Sequence, residues 1–145
     1  MTTLADLKLQ QNEIREISGA LMGLMTHENQ AVDTIAKVTH TLLCDLCKKL
    51  DLHLAEEHKG VYPELLSHGD QAVQNMVWGF INNDIPLRAE LHAYKHKWLR
   101  NCEYAVSAAF IEETRQILAM LIERIELEGR KMMPKLEEAG LLAYA

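Results

Sequence analysis

The chain has 145 residues, of which 48% are hydrophobic, 6% aromatic and 25% charged, and its formal net charge is −6. This length suffices for one hydrophobic core, so we interpret residues 1–145 as a single domain. An acidic chain without a basic run is not expected to bind nucleic acid. No apolar run reaches the roughly 18 residues of a membrane span, and the start lacks the apolar core of a signal peptide, so no membrane association is expected.

The three cysteines, Cys44, Cys47 and Cys102, are an odd number, which does not suit the disulfide framework of a secreted domain. We therefore expect reduced thiols and a cytoplasmic location. Cys44 and Cys47 form a CxxC pair, but neither a βαβ pattern nor a second CxxC accompanies it. The sequence thus favours cysteines that pack as small apolar side chains.

The first predicted helix covers about residues 4–25, where apolar side chains recur at helical spacing. Its apolar face consists of Leu7, Ile14, Ile17, Leu21 and Leu24. A polar break at residues 26–29 precedes a second helix, which is predicted to end near residue 60. Glycine, proline and polar residues punctuate the connection that follows it, over residues 60–70.

The third and fourth predicted helices cover about residues 71–100 and 103–138. The residues expected to face inward on the third helix are Met76, Phe80, Leu87, Leu91, Tyr94 and Trp98. On the fourth helix they are Phe110, Ile117, Leu121, Ile125 and Met132. Strand alternation is absent from the sequence, and short connections make consecutive helices antiparallel neighbours. We therefore expect an all-α fold, an up-down-up-down antiparallel four-helix bundle.

His53 and Glu57 lie four residues apart, about one helical turn, so both side chains leave the same face of the second helix. Leu43, Leu46 and Leu50 precede them on that face, which predicts that the imidazole and the carboxylate are buried. A buried polar pair needs a partner that offsets its desolvation. A metal ion and a buried cation are the two usual partners.

The second and fourth helices end alike. HLAEEHKGVYP spans residues 53–63 and RIELEGRKMMP spans residues 124–134. In this internal echo Glu57 corresponds to Glu128, and His53 corresponds to Arg124. Pseudo-symmetry of this kind predicts four side chains from two helices at one level of the core.

These elements follow a family pattern at His53, Glu56, Glu57, Tyr62, Pro63, Glu128 and Pro134. In them the chain resembles the hemerythrin-like (HHE cation-binding) family. The resemblance implies a left-handed four-helix bundle with a non-haem di-iron site between the helices. Such sites bind oxygen or serve iron and redox sensing.

The resemblance carries over to only part of the family's ligand set. His53 and Glu57 match the second-helix ligands, and Glu128 matches the fourth-helix carboxylate. Where the family has its first-helix and fourth-helix histidines, this chain has Gln11 and Arg124. Neither histidine nor glutamate occurs at residues 82–84, where third-helix ligands are expected.

Arg124 is the departure that decides the interpretation, because a guanidinium stays protonated and cannot ligate iron. We expect it to donate forked hydrogen bonds to Glu57 and Glu128 and so to supply the positive charge that a metal supplies in the family. Gln11 and Glu56 are the candidates to complete this polar core network. For the Tyr62 hydroxyl, which can point at the site or simply cap the core, we favour the cap.

Three functional hypotheses follow. The first is a non-enzymatic binding or sensing module whose centre holds no metal, or one weakly bound ion on His53, Glu57 and Glu128. The second is a functional non-haem iron protein that binds oxygen or senses iron or redox state. The third is a helical scaffold for a protein partner or a homodimer, whose apolar contact surface includes Met132, Met133, Leu141 and Leu142.

The HxxxH pair His92 and His96 can in principle hold a metal from one helix face. It lies on the flank of the predicted apolar face, in a neighbourhood that includes Lys95 and Lys97. We therefore expect these two histidines to be solvated.

Overall fold

The computed structural model describes residues 2–100 and 107–142, and these residues contain helices but no strand, which confirms the all-α prediction. The α-helices are α1 (Leu4–Leu24), α2 (His27–Gln30), α3 (Asp33–Glu56), α4 (Tyr62–His68), α5 (Gln71–Tyr94), α6 (Ala108–Leu127) and α7 (Met133–Glu138). Three π-helical turns, Glu57–Val61, Lys95–Leu99 and Glu128–Met132, extend or join them. The described residues therefore form four long helical stretches: α1, α3–α4, α5 with its π-turn, and α6–α7.

Polar side chains fix where these stretches begin. Thr3 and Asp6 form a reciprocal capping box at the start of α1. Asp70 caps α5 by accepting from the amide of Val73, and Ser107 caps α6 in the same way. Ser107 has an extended backbone, and α6 begins at the next residue, Ala108. Residues 103–106 of the predicted fourth helix lie outside the described residues.

The predicted connection at residues 60–70 is wrong over most of its length. The second helical stretch continues through the π-turn Glu57–Val61 and through α4, and only Gly69 and Asp70 separate it from α5. Pro63 lies in the first turn of α4, directly after the π-turn. Pro86 lies inside α5, which remains α-helical on both sides of it.

The core consists of two hydrophobic clusters. The first contains Ile14, Leu21, Leu43, Leu46, Leu50, Leu54, Leu87, Leu91, Leu118, Leu121 and Ile125, with Met25. The second contains Leu7, Val61, Tyr62, Leu65, Val73, Val77, Phe80, Met132, Met133 and Leu136. Helix α1 packs against α3 and α6, and α4 packs against α5, which brings all four stretches to both clusters.

The apolar contact surface predicted near the C-terminal end is wrong in its main members. Met132 and Met133 expose only 1% and 4% of their surface, because they pack into the second cluster. Leu141 and Leu142 are half-buried against the same cluster. Across the described part of the chain, none of the helices combines the length and the apolar character needed to cross a membrane.

Candidate functional site

A layer of buried polar side chains separates the two hydrophobic clusters. Each helical stretch enters this layer between a residue of one cluster and a residue of the other, as Glu57 does between Leu54 and Val61. None of its members exposes more than 4% of its surface. They are Gln11 on α1, His53 and Glu57 on the second stretch, Asp84 on α5, and Arg124 and Glu128 on the fourth stretch.

Glu128 is the acceptor at the centre of the polar layer. Its Oε1 lies 2.8 Å from His53 Nε2 and accepts a 3.1 Å hydrogen bond from Gln11 Nε2. Its Oε2 accepts a 2.8 Å hydrogen bond from Arg124 Nε, one turn earlier on the same helix. Burial raises the pKa of Glu128, but the hydrogen bond and charge of His53, together with Arg124, outweigh it and lower this pKa to about 2. Glu128 is therefore an anion in the folded protein.

His53 faces oxygen atoms on both sides of its ring. Its Nδ1 lies 2.8 Å from Oε1 of Gln10, whose amide nitrogen donates in turn to Glu56. With Glu128 at Nε2, both ring nitrogens of His53 lie within hydrogen-bond distance of an oxygen atom. Glu56, predicted as part of the network, is half-buried at its edge and reaches His53 only through Gln10.

The Arg124 guanidinium reaches three helical stretches from a buried position. Nη2 donates a 2.8 Å hydrogen bond to the Tyr62 hydroxyl, and Nη1 forms a 2.5 Å ion pair with Asp84 Oδ1. Its carbon Cζ lies 4.7 Å from the ring centroid of Phe80, in cation–π geometry. The predicted fork to two glutamates is only half present, because Glu57 lies 3.8 Å away, at ion-pair rather than hydrogen-bond distance.

Tyr62 does more than cap the core, contrary to our prediction. Its hydroxyl accepts from Arg124 and donates a 2.8 Å hydrogen bond to Asp84 Oδ2. His58 Nε2 lies 2.9 Å from the same Asp84 oxygen, and 39% of the His58 side chain is exposed. The polar layer therefore reaches the surface at His58.

Asp84 was not predicted as a site residue, because the family resemblance places histidine or glutamate ligands at residues 82–84. A signal was available: Asp84 lies four residues after Phe80 and three before Leu87, so helical spacing places its side chain on the buried face. A carboxylate on that face requires a cationic or hydrogen-bonding partner. Arg124, His58 and Tyr62 are the partners that the structure provides.

Glu57 is the least satisfied member of the layer. Neither of its oxygens has a hydrogen-bond partner, although the side chain is fully buried. Burial and the negative charge of Glu128 raise the pKa of Glu57 well above its ordinary value, and the attraction of Arg124 only partly opposes them. The buried position of Glu57 therefore favours the neutral acid over the carboxylate.

The internal echo in the sequence has a structural counterpart. Glu57 and Glu128 each begin a π-turn, and each π-turn leads into a short α-helix with a proline in its first turn. The amides of Tyr62 and Met133 bond back to the carbonyls of the two glutamates, five residues earlier. Single π-turns inside α-helices occur frequently at functional sites, and here two of them carry the two central carboxyl groups.

A metal ion has few donors available in this layer. Among the described residues, His53, Glu57 and Glu128 form the one group of three or more side chains whose ligand atoms all lie within 4.8 Å of one another. Three donors are too few for two irons, and the Arg124 charge lies next to them, so the residues do not fit a di-iron centre. They suit at most one ion that keeps other ligands.

The histidine and cysteine motifs lie elsewhere. His92 and His96 are exposed and line a groove with Cys44 and Cys47, but these four side chains do not converge into a metal-ligand group. Burial raises the pKa of Cys47 to about 11, which suits a protonated thiol in the core. Cys102 lies outside the described residues.

Fold and site together define an all-helical protein with a buried polar layer centred on an arginine. No protein-family model, curated protein or solved structure matches this chain.

Proposed function

We propose that this chain is a non-enzymatic, hemerythrin-like binding or sensing module in which Arg124 takes the place of a metal centre. In this proposal the four helical stretches form an up-down-up-down antiparallel bundle. The observation that carries the proposal is the position of the Arg124 guanidinium, which is 4% exposed and contacts Glu128, Tyr62 and Asp84.

Charge balance supports a layer that is complete without a metal. The guanidinium of Arg124 supplies a fixed positive charge between Glu128 and Asp84. Burial and the charge of Glu128 raise the pKa of Glu57, which disfavours a further negative charge at that position. A divalent ion placed among these groups would add positive charge next to the guanidinium.

Metal analysis tests the proposal directly. We expect aerobically purified protein to contain far less than one metal ion per chain, to show no near-ultraviolet absorption beyond that of its aromatic side chains, and to keep its thermal stability in chelator. Two irons per chain with a near-ultraviolet ferric band would overturn the proposal.

A gain-of-function variant tests the role of Arg124. In the internal echo Arg124 corresponds to His53, so Arg124→His removes the competing charge and adds an imidazole next to Glu57 and Glu128. We expect this variant to bind Fe²⁺ or Zn²⁺ at least about tenfold more tightly than the wild type, as expected from a ligand added where a cation is removed. Equal affinities by calorimetry would contradict the idea that Arg124 excludes the metal.

One bound ion is the second candidate, favoured by the unsatisfied oxygens of Glu57 beside His53 and Glu128. Titration of Glu57→Gln with Zn²⁺ or Mn²⁺ distinguishes one bound ion from a metal-free layer. The amide keeps the volume of the side chain but is a poor metal ligand. Glu56→Gln is the matched control, since Glu56 lies at the edge of the layer and outside the donor group. An ion held by these donors is lost in the first variant and kept in the second.

A further inference from the structure

A groove lies on the surface between the second half of α3 and the end of the third helical stretch. The end of α5 and the π-turn Lys95–Leu99 form one of its walls, and α3 forms the other. Among the described residues, this is the one π-turn that carries no member of the polar layer. The groove has a volume of about 460 Å³, within the roughly 300–1,000 Å³ of sites that hold small molecules.

The charged side chains of the groove are mostly positive. Lys48, Lys95 and Arg100 are its cations, and Asp51 is its carboxylate. Lys95 Nζ lies 3.0 Å from Asp51 Oδ2, so these two charges offset each other. Lys48 and Arg100 are exposed, and neither forms an ion pair within the described part of the chain. Two positive charges are therefore left without a partner in this groove.

The sign of this local charge is opposite to that of the whole protein. The chain has a net charge of −6, which repels anions at long range, whereas a cleft lined by one sign of charge concentrates ligands of the opposite sign. His92 and His96 are also exposed in the groove, and their rings can donate N–H groups. The Arg100 guanidinium offers the planar set of donors that matches carboxylate and phosphate groups.

The less exposed residues of the groove are apolar. Cys47 is buried, and Cys44 and Leu99 are half-buried. Reduced cysteines pack as small apolar side chains. Apolar walls with a few charged or polar groups are typical of pockets for small molecules. A ligand that matches both parts of this groove therefore needs an acidic group and an apolar body.

We propose that this basic groove binds a small organic anion, in which a carboxylate or phosphate group is attached to an apolar body. The unpaired charges of Lys48 and Arg100 hold the acidic group, and the apolar body covers Cys44 and Leu99. The groove shares no residue with the polar layer, so the site does not depend on the function proposed for that layer.

Titration calorimetry with three naphthalene probes tests the ligand class. The probes are 1-naphthoate, 1-naphthyl phosphate and the neutral 1-naphthalenemethanol. We expect at least one anion to bind, and the tighter of the two identifies the preferred acidic group. The neutral probe should bind at least about tenfold more weakly, because it lacks the charge-assisted hydrogen bonds. Added salt should weaken the binding of the anion, since the charges of the groove are exposed.

A matched pair of double variants tests the position of the site. Lys48→Gln with Arg100→Gln should weaken the binding of the anion at least about tenfold. Lys37→Gln with Arg130→Gln is the control, because it removes the same two charges at exposed positions outside the groove and should bind like the wild type. Circular dichroism should give the same helix content for all three proteins.

Protection of Cys44 from alkylation reports occupancy of the groove in the wild type alone, and therefore decides the question even if a variant misfolds. We expect saturating anion to slow the modification of Cys44, as measured by peptide mass spectrometry. The proposal would be overturned if neither anion bound with a Kd below about 5 mM, or if the neutral probe bound as tightly as the anions. Equal affinities of the two double variants, or an unprotected Cys44 at saturating anion, would also overturn it.

Discussion

Arg124 Nη1 lies 2.5 Å from Asp84 Oδ1, so the buried guanidinium of α6 is paired with a carboxylate on α5. The same guanidinium hydrogen-bonds Glu128 on its own helical stretch and Tyr62 on another. Three helical stretches therefore depend on one side chain for the charge balance of their shared layer. Removing either member of a buried ion pair leaves the other charge uncompensated.

Truncation of Arg124 should be costly. We expect Arg124→Ala to lower the free energy of unfolding by about 3–5 kcal/mol in chelator, because Asp84 and Glu128 lose their buried cation. Urea denaturation monitored by circular dichroism measures this loss. Arg130→Ala, at an exposed position on the same stretch, should change the free energy by less than about 0.5 kcal/mol. Similar effects of the two variants would count against the arginine-centred layer.

The Tyr62 hydroxyl should contribute to stability through both of its hydrogen bonds. Tyr62→Phe leaves the ring in place but removes the donor to Asp84 and the acceptor for Arg124. We expect a loss of about 1–3 kcal/mol, as for buried polar groups left unsatisfied. In an Arg124→Ala background the same substitution should cost clearly less, because one partner is already gone; equal costs in the two backgrounds would show that the residues are not coupled.

Acid should weaken the fold through Glu128. A carboxyl whose folded pKa is depressed contributes stability above its unfolded pKa and loses that contribution as pH falls through the folded value. With an ordinary value of 4.5 and a folded pKa of about 2, the Glu128 contribution disappears between these two pH values. The free energy of unfolding, measured by denaturation at several pH values from 7 to 2, should therefore change less with pH in Glu128→Gln than in the wild type. An unchanged slope would contradict a paired anion at this position.

Glu57 should show the opposite dependence. Its folded pKa is raised by burial and by Glu128, so its contribution is fully present below its ordinary value of 4.5 and is lost as pH rises. Glu57→Gln resembles the neutral acid at every pH. We therefore expect the stability of this variant, relative to the wild type, to improve as pH rises from 4.5 in chelator. Glu56→Gln, at the half-buried edge, should show no such trend.

The two cysteines of the CxxC pair should differ in reactivity. Cys47 is buried and its pKa is raised to about 11, whereas Cys44 is half-buried. Because the thiolate is the reactive species, we expect an alkylating reagent at pH 7.5 to modify Cys44 well before Cys47. Peptide mass spectrometry separates these sites from each other and from Cys102. Modification of Cys47 first would indicate that the thiol is more accessible than its position in the core implies.

The sequence alone determined the all-helical class and the burial of most of the site residues. Apolar spacing predicted the helical class, and the echo of residues 53–63 in residues 124–134 brought His53, Glu57, Arg124 and Glu128 together as candidates. These predictions succeed because helical period and burial are local properties of the chain. The two π-turns were not predicted, but each begins at the repeated glutamate and ends two residues before the repeated proline.

Only the tertiary structure decided which groups satisfy the arginine. Asp84 and the Tyr62 hydroxyl, rather than Glu57, share the guanidinium with Glu128, and Gln10 links His53 to Glu56. These pairings depend on the rotation and axial shift of α5 and α1 against the other helices, to within an ångström or so. Side-chain hydrogen bonds are that short-ranged, whereas the spacing of apolar residues along one helix fixes only the face that is buried.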